Sequence, residues 1–505
     1  MFKTYYCFMT NSLNLINWIY LLPETLVLTN LLILCIFEIV LPKVSKVITL
    51  SLCLICLLGS LSYLIFEWIQ FSEANSSIFS FFESFETDPL TITFRILIIL
   101  STIFSILFSF DYIQSSTKLV NEFLILLLTA ALGSMLLSGA NNLVLVFIGL
   151  ETLSLSSYLL TAYTKLDSRS NEAALKFFSL GGVSSSILLY GFSLLYGLSK
   201  GHLNFYKINE VFLNIPDEQK LSFTVPIIFL LIGIGFKLSL VPFHQWTPDV
   251  YEGAPTPVVA FLSIGSKAGV LCFTIRILNL LFGPQVLVWQ NLIEIFAILS
   301  LIIGNFSALS QRSFKRFLAY SSIGQIGFLL IGLVVGNESG YSSIIFYLLV
   351  YLFTNFGVFA CIILYGIKTG KEKIQDYSGL AATNPLFAFC LSLCLLSLAG
   401  LPPLAGFFSK LYIFLLGWES HHYILTITAL LTSLISVFYY LRIIKIMILP
   451  ENSTALPKAA LLSYDNLPTF GIGLFICTLG SLGFGFFGQI FLSLAEKSIS
   501  LTYYL

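Results

Sequence analysis

Apolar runs of about 20 residues recur from one end of this chain to the other. Each run is long enough, at about 1.5 Å of rise per helical residue, to cross a hydrocarbon layer about 30 Å thick. Lipid offers the backbone no hydrogen-bond partners, so only helices or closed barrels can span it. Because the runs do not alternate apolar and polar residues as barrel strands do, they predict an all-α polytopic membrane protein.

The composition supports this prediction and excludes some classes of function. Of the 505 residues, 57% are hydrophobic and 10% are charged, whereas soluble domains carry about 25% charged residues. The 25 basic and 25 acidic residues balance, so the net charge gives no reason to expect a nucleic-acid partner. We expect the lipid bilayer to be the main environment of the chain.

Cysteine and histidine are not arranged as ligands of redox cofactors. The nine cysteines are scattered, mostly inside apolar runs, where a buried thiol is the ordinary interpretation. No set of four has the spacing of iron–sulfur ligands, and the four histidines form no facing helical pairs that would hold haem. We therefore expect neither a cofactor nor a metal ion in this chain.

Pro, Gly and charged residues separate the apolar runs, and their positions predict about fourteen spans. The first ten residues, MFKTYYCFMT, have no signal-peptide cleavage site or transit pattern, so the first run is expected to be a retained span. Lys and Arg collect in the odd-numbered loops, and the even-numbered loops contain only Lys200, Lys207 and Lys220. This asymmetry favours an even number of spans, with both termini on the electrically positive side. The spans lie near 21–42, 47–70, 89–110, 119–138, 141–163, 171–198, 222–243, 255–281, 287–309, 315–335, 341–367, 384–417, 421–447 and 467–495.

Two of these spans are interrupted by Gly and Pro, and each contains a lysine. The seventh reads GIGFKLSLVPFHQW and the twelfth reads GLPPLAGFFSKLY. Broken helices in corresponding positions of two halves point to an inverted-repeat transporter. The predicted domains are an N-terminal three-helix segment, two inverted five-helix repeats, and a C-terminal loop and helix, at residues 1–118, 119–281, 282–447 and 448–505.

Three lysines, Lys237, Lys267 and Lys410, have apolar sequence on both sides. A lysine at bilayer depth costs about 2.5–3.5 kcal/mol, so three of them require a compensating role unless their side chains snorkel to an interface. Glu151, one-third of the way into an apolar run, is the natural counter-charge. A Glu151–Lys237 pair that opens and closes would switch the lysine between holding and releasing a proton. These four residues are predicted to form a proton path.

His244 and Lys176 are weaker candidates, as relays. His244 follows Lys237 by two turns and could pass protons toward one surface, but a histidine that hydrogen-bonds a loop fits equally well. Lys176, early in the sixth span, faces either the path or the membrane interface. Asp249 and Glu252 lie in the proline-rich segment TPDVYEGAPTP and are predicted to organise that turn.

Several long motifs between residues 88 and 447 resemble subunit 2 of the complex I family, in its chloroplast and cyanobacterial branch. They are, in order, GLETLSLSSYLL, SRSNEAALKF, FKLSLVPFHQWTPDVYEGAPTPVVAFLS, KRFLAYSSIGQIGF and SLAGLPPLAGFFSKLYIF. Glu151, Lys237, Lys267 and Lys410 fall on the proton-path positions of that family. The resemblance implies a subunit that moves protons across a membrane while a larger complex reduces quinone.

The resemblance also implies partners and a location. The partners would be the other membrane-arm subunits, including homologous antiporter-like subunits, and any FMN, iron–sulfur clusters and plastoquinone would bind to partner subunits. The location would be the chloroplast thylakoid membrane, with a cyanobacterial thylakoid or the mitochondrial inner membrane as alternatives. The residues alone leave two other classes open, a stand-alone or Mrp-type cation/proton antiporter and a purely structural membrane spacer.

Overall fold

The computed structural model describes residues 17–40, 46–74, 77–116, 120–214, 221–282, 286–449 and 468–500. These ranges are helical almost throughout, because a backbone in lipid must satisfy its own hydrogen bonds. The first ten residues, for which no leader is predicted, lie outside the described residues. So do the predicted domain boundary at 118 and residues 450–467 of the predicted C-terminal domain.

The helices and strands follow one another along the described ranges. Three short 3₁₀ segments, Trp18–Leu21, Leu221–Phe223 and Ile374–Tyr377, flank them. The two strands pair antiparallel as a hairpin. The elements are α1 (Leu22–Val40), α2 (Lys46–Ala74), β1 (Ile78–Ser80), β2 (Phe85–Thr87), α3 (Pro89–Ser116), α4 (Val120–Ser138), α5 (Leu143–Thr161), α6 (Ser168–Leu198), α7 (Phe205–Leu213), α8 (Thr224–Leu238), α9 (Trp246–Gly253), α10 (Thr256–Phe282), α11 (Val286–Leu309), α12 (Phe314–Val335), α13 (Glu338–Thr369), α14 (Leu380–Thr383), α15 (Pro385–Ala399), α16 (Ala405–Glu419), α17 (Tyr423–Ile448), α18 (Pro468–Phe486) and α19 (Gly488–Ser500).

The prediction of an all-α polytopic membrane protein is confirmed, but the number of fourteen spans is not. Within the described ranges, eleven helices are long and apolar enough to cross a membrane, or twelve if α18 and α19, bent by 86°, form one span. The shortfall arises at the seventh and twelfth predicted spans. There α8 and α15 have only 15 residues each, or about 22 Å of helix, which is too short for a hydrocarbon core of about 30 Å.

Both predicted interruptions are present, and each begins with a left-handed residue. After α8, Ser239 has φ 61°, and after α15, Gly400 has φ 84°. The N–H of Leu240 donates to the carbonyl oxygen of Gly235 at 2.8 Å. This bond between residues five apart is the one that defines a Schellman cap at the end of a helix. The chain then runs without helix to α9 in the first break and to α16 in the second.

The enclosure of the helices shows where the core lies. Within the most apolar 18-residue stretch of each helix, the buried share is 94% for α10 and 89% for both α12 and α13. The corresponding share for α11 is 28%. The helices α10, α12 and α13 therefore form the centre of the bundle. The apolar outer faces of peripheral helices are left to contact lipid.

A buried ion-pair cluster joins the β-hairpin to α10. The guanidinium of Arg276 pairs with Glu86 at 2.9 Å and with Asp88 at 2.8 Å. The hydroxyl of Tyr206, on the short helix α7, donates to Glu86 at 2.9 Å. Burial raises the pKa of the Glu86 carboxyl, and the charge of Arg276 opposes that rise. The cluster holds β2 and α7 against the last turns of α10.

Candidate functional site

Lys237 lies in the last turn of α8, directly before the first break. Its ammonium group is 5.7 Å from the centre of the Tyr158 ring and 5.9 Å from that of Phe236, distances at which an aromatic face attracts a cation. A cavity of about 20 Å³ beside it is lined partly by Ser154 and Ser266, which is room for one water molecule. The lysine is therefore held by aromatic rings next to a small space with polar walls.

Glu151 lies on α5, close enough for its charge to act on Lys237. The hydroxyl of Ser154 donates to its carboxylate at 3.4 Å. The two charged groups form no direct ion pair among those in the described residues. The carboxylate of Glu151 and the ammonium group of Lys237 are therefore not in direct contact in this structure.

Lys267 lies in the centre of the bundle on α10 and has no exposed surface. Its ammonium group is 3.5 Å from the hydroxyl oxygen of Ser322, on α12. One turn earlier on α10, the hydroxyl of Ser263 accepts a hydrogen bond from Asn355 of α13 at 2.8 Å. Polar contacts therefore join the three central helices around Lys267, whose side chain is enclosed by the bundle.

Lys410 projects from α16 back to the end of α15. Its ammonium group donates to the carbonyl oxygens of Leu398 at 2.9 Å and Ala399 at 3.0 Å, and it lies 5.0 Å from the centre of the Phe328 ring. These are the last carbonyls of α15, where the helix dipole is negative and favours a cation. The lysine of one half-helix thus caps the other half across the break.

The two broken spans hold their lysines differently. Lys237 belongs to the half-helix before its break, whereas Lys410 belongs to the half-helix after its break. The order of lysine and proline in the two sequence motifs agrees with this difference, because Lys237 precedes Pro242 whereas Lys410 follows Pro403. Each lysine is nevertheless brought to the point where regular helix ends.

Gly406 allows α16 to begin close beside α15, and its replacement by alanine is a test of that contact. A Cβ at this position would overlap the backbone oxygen of Ser397. Gly406→Ala is expected to push the half-helices apart, to destabilise the protein by about 1–3 kcal/mol, and to weaken the bonds of Lys410. The measurement is the thermal unfolding of the purified complex.

The matched control for this substitution is Gly182→Ala, on α6. A Cβ at Gly182 meets nothing within 4 Å, so this variant should unfold at the wild-type temperature or slightly above it. Equal melting temperatures for the Gly406 and Gly182 variants would contradict the proposed close contact.

Gln325 is a candidate that the sequence reasoning missed. Its side-chain amide donates at 3.4 Å to the carbonyl oxygen of Leu398, which also binds Lys410. Its amide oxygen accepts a hydrogen bond from the hydroxyl of Tyr347. A cavity of about 10 Å³ borders Lys410, Gln325 and Tyr347. Polar groups therefore surround the ammonium group of Lys410 on the side of α12.

A polar row on α12 lies between the two buried lysines. Ser322 contacts Lys267, and Gln325 shares a carbonyl with Lys410. The two residues are three apart, so they lie on the same face of the helix. The signal is present in the sequence YSSIGQIGF, where a serine and a glutamine interrupt an apolar run at helical spacing.

The two relay candidates lie in different environments. His244 lies within the first break, and its buried Nδ1 has no hydrogen-bond partner among the described residues. Lys176 is exposed, and its ammonium group pairs with Glu172 at 2.7 Å and Asp249 at 2.8 Å. Asp249 also pairs with Arg316 at 2.9 Å, so this acidic residue joins three helices at the surface.

The chain matches the sequence profile of the transmembrane part of the NADH:quinone oxidoreductase/Mrp antiporter family over residues 140–436. It is 45% identical over 483 residues to the chloroplastic NAD(P)H-quinone oxidoreductase subunit 2 of Mesostigma viride, with 95% of each chain covered. It is 49% identical over 431 residues to subunit 2 of Thermosynechococcus vestitus, covering 85% of this chain and 82% of that protein.

Solved structures show the same fold. A chain of respiratory complex I from Thermus thermophilus superposes with a TM-score of 0.76 at 29% identity, covering 94% of this chain and 99% of that one. A chain of the Mrp complex from a Dietzia species gives 0.81 at 20% identity, a likeness of fold alone. With relatives at 45–49% identity over most of its length, the chain belongs to the NAD(P)H-quinone oxidoreductase subunit 2 family.

Proposed function

We propose that this chain is a proton-translocating, antiporter-like subunit of an NAD(P)H- or ferredoxin-dependent plastoquinone oxidoreductase in the thylakoid membrane. The observation that carries the proposal is the placement of Lys237, Lys267 and Lys410 inside the helical bundle, where Lys267 is 0% and Lys410 5% exposed. Buried ammonium groups are costly, and here each has polar or aromatic neighbours. Relatives from an alga and a cyanobacterium support the location.

The proton path begins with the pair of Glu151 and Lys237. When the carboxylate approaches, it favours the ammonium form of the lysine, and when it withdraws, burial favours the neutral amine. The proton then leaves Lys237 at the cavity lined by Ser154 and Ser266, which has room for one water molecule. The helix α8 ends one residue after Lys237, so non-helical backbone follows directly beside this cavity.

The path continues through the centre of the bundle to the second break. Lys267 contacts Ser322, and the row on α12 leads from Ser322 to Gln325 and the carbonyl of Leu398. Lys410 binds that same carbonyl. Hydroxyl and amide groups in this order offer both donors and acceptors along the route.

The electron-transfer centres are assigned to partner subunits. The sequence contains no ligand pattern for iron–sulfur clusters, and among the described residues no group of three or more His, Cys, Asp or Glu could hold a metal ion. FMN or iron–sulfur clusters and plastoquinone would be bound by partner subunits, as the resemblance to subunit 2 of the complex I family implies. The partners of this chain would include the other membrane-arm subunits and homologous antiporter-like subunits.

Native purification tests this function against the alternative of a stand-alone cation/proton antiporter. We expect the chain to co-purify with quinone-reductase subunits, and reconstituted vesicles to acidify when an electron donor reduces plastoquinone. A chain that purifies alone and exchanges sodium ions for protons without electron transfer would overturn the proposal in favour of the alternative.

A further inference from the structure

A second buried charged cluster lies in the first three long helices, outside both predicted repeats. It consists of Glu24 at the start of α1, Glu67 near the end of α2 and Arg95 near the start of α3. The three residues are 5%, 1% and 0% exposed. Since successive helices run in opposite directions, these positions lie at the same end of the bundle.

The contacts of Arg95 leave Glu67 without a hydrogen-bond donor. The Nε of Arg95 pairs with Glu24 at 3.1 Å. Its two other nitrogens donate to the backbone oxygen of Tyr20 and the hydroxyl of Thr87, both at 3.3 Å. Both carboxyl oxygens of Glu67 are buried and have no hydrogen-bond partner among the described residues.

The balance of charge in this cluster indicates that one of its two carboxyl groups is protonated. Two buried carboxyl groups share one guanidinium, so full ionisation would leave one uncompensated negative charge. An ionised carboxylate that is buried without hydrogen bonds costs several kcal/mol, whereas its protonated form is neutral and costs much less. Because Glu24 has the direct ion pair, the proton belongs on Glu67.

Three charged or titratable side chains face Glu67. On neighbouring helices they are Arg95 and Glu24, and on its own helix Tyr63 lies one turn earlier. The hydroxyl of Tyr63 donates at 2.8 Å to the backbone oxygen of Ile19, so its hydrogen is not directed at the carboxyl group of Glu67.

We propose that Glu67, with Glu24 and Arg95, is a proton-binding site separate from the lysine path. When its O–H bond breaks, the proton passes to the carboxylate of Glu24, and the Arg95 guanidinium turns from Glu24 toward Glu67, so that the two carboxyl groups always share one proton and one guanidinium. The site is also linked to the core of the bundle. Thr87, which Arg95 contacts, lies between Glu86 and Asp88, the two partners of Arg276 on α10.

Infrared spectroscopy of the whole complex in lipid nanodiscs, in H₂O and in D₂O, tests the site. The wild-type spectrum should contain the C=O stretching band of a protonated carboxylic acid that shifts in D₂O. Glu67→Gln should remove that one band and leave assembly unchanged, because glutamine resembles the neutral acid in shape and charge. The matched control is Glu210→Gln, which alters an exposed carboxylate on α7 and should remove no band.

Two results would overturn the proposal. One is a Glu67→Gln spectrum with every carboxylic-acid band intact, since Glu67 would then be ionised. The other is a failure of the Glu67→Gln complex to assemble, since a neutral Glu67 predicts that its neutral analogue is tolerated. Neither result depends on the lysine path, because the band and the assembly are measured without proton pumping.

Discussion

Lys237→Met is expected to abolish proton pumping by the assembled complex. Methionine fills a similar volume and keeps the contacts with the Tyr158 and Phe236 rings, but it cannot carry a proton. Glu151 then has no lysine whose protonation it can switch. The measurement is the acidification of vesicles per plastoquinone reduced, which should fall to the level of the leak.

Lys237→Arg separates the need for a positive charge from the need for a releasable proton. Arginine stays charged at all accessible pH values, so this variant should assemble normally and still fail to pump. Lys371→Met, at an exposed lysine, is the matched control and should pump as the wild type does. Wild-type pumping by Lys237→Met would leave only a structural role for this lysine, as in the membrane-spacer class.

Arg276→Leu is expected to destabilise the chain by about 3–5 kcal/mol, enough to prevent its accumulation in the complex. The substitution leaves Glu86 and Asp88 buried without their counter-charge, while the hydroxyl of Tyr206 still binds Glu86. The hairpin and α7 would then lose their attachment to α10. Native gel electrophoresis of membranes and thermal unfolding of any purified complex measure the effect.

Arg312→Leu is the control for this substitution because Arg312 is an exposed arginine on the surface. It should assemble normally and unfold within about 0.5 kcal/mol of the wild type. If the two arginine variants accumulated equally, the buried cluster could not be what holds β2 and α7 in place.

The helices and the two breaks could be predicted from the sequence because their causes are local. Runs of apolar residues specify helices in lipid, and Gly and Pro mark the points at which those helices end. The breaks after Leu238 and Ala399 fall inside the predicted seventh and twelfth spans. The number of spans was harder to predict, because a broken helix does not reach across the membrane in one piece.

The side-chain partners could not be predicted in the same way. Arg276 and Glu86 are 190 residues apart, and no local pattern brings them together. The same holds for the carbonyl groups that bind Lys410, because their position depends on how closely Gly406 lets α16 approach α15. The roles of Glu151 and the three lysines, and the division into two repeats, remain predictions; the variants of Lys237 test the first of these roles.

The contact of Lys410 with the end of α15 makes the attraction between the two half-helices at the second break depend on the charge of the lysine. While the amine carries its third proton, a full positive charge draws the two half-helices together at the carbonyls of Leu398 and Ala399. Loss of that proton removes the charge and weakens the attraction about twofold. On the proposed proton path, each release of a proton by Lys410 would therefore loosen the contact between α15 and α16, and each uptake would restore it.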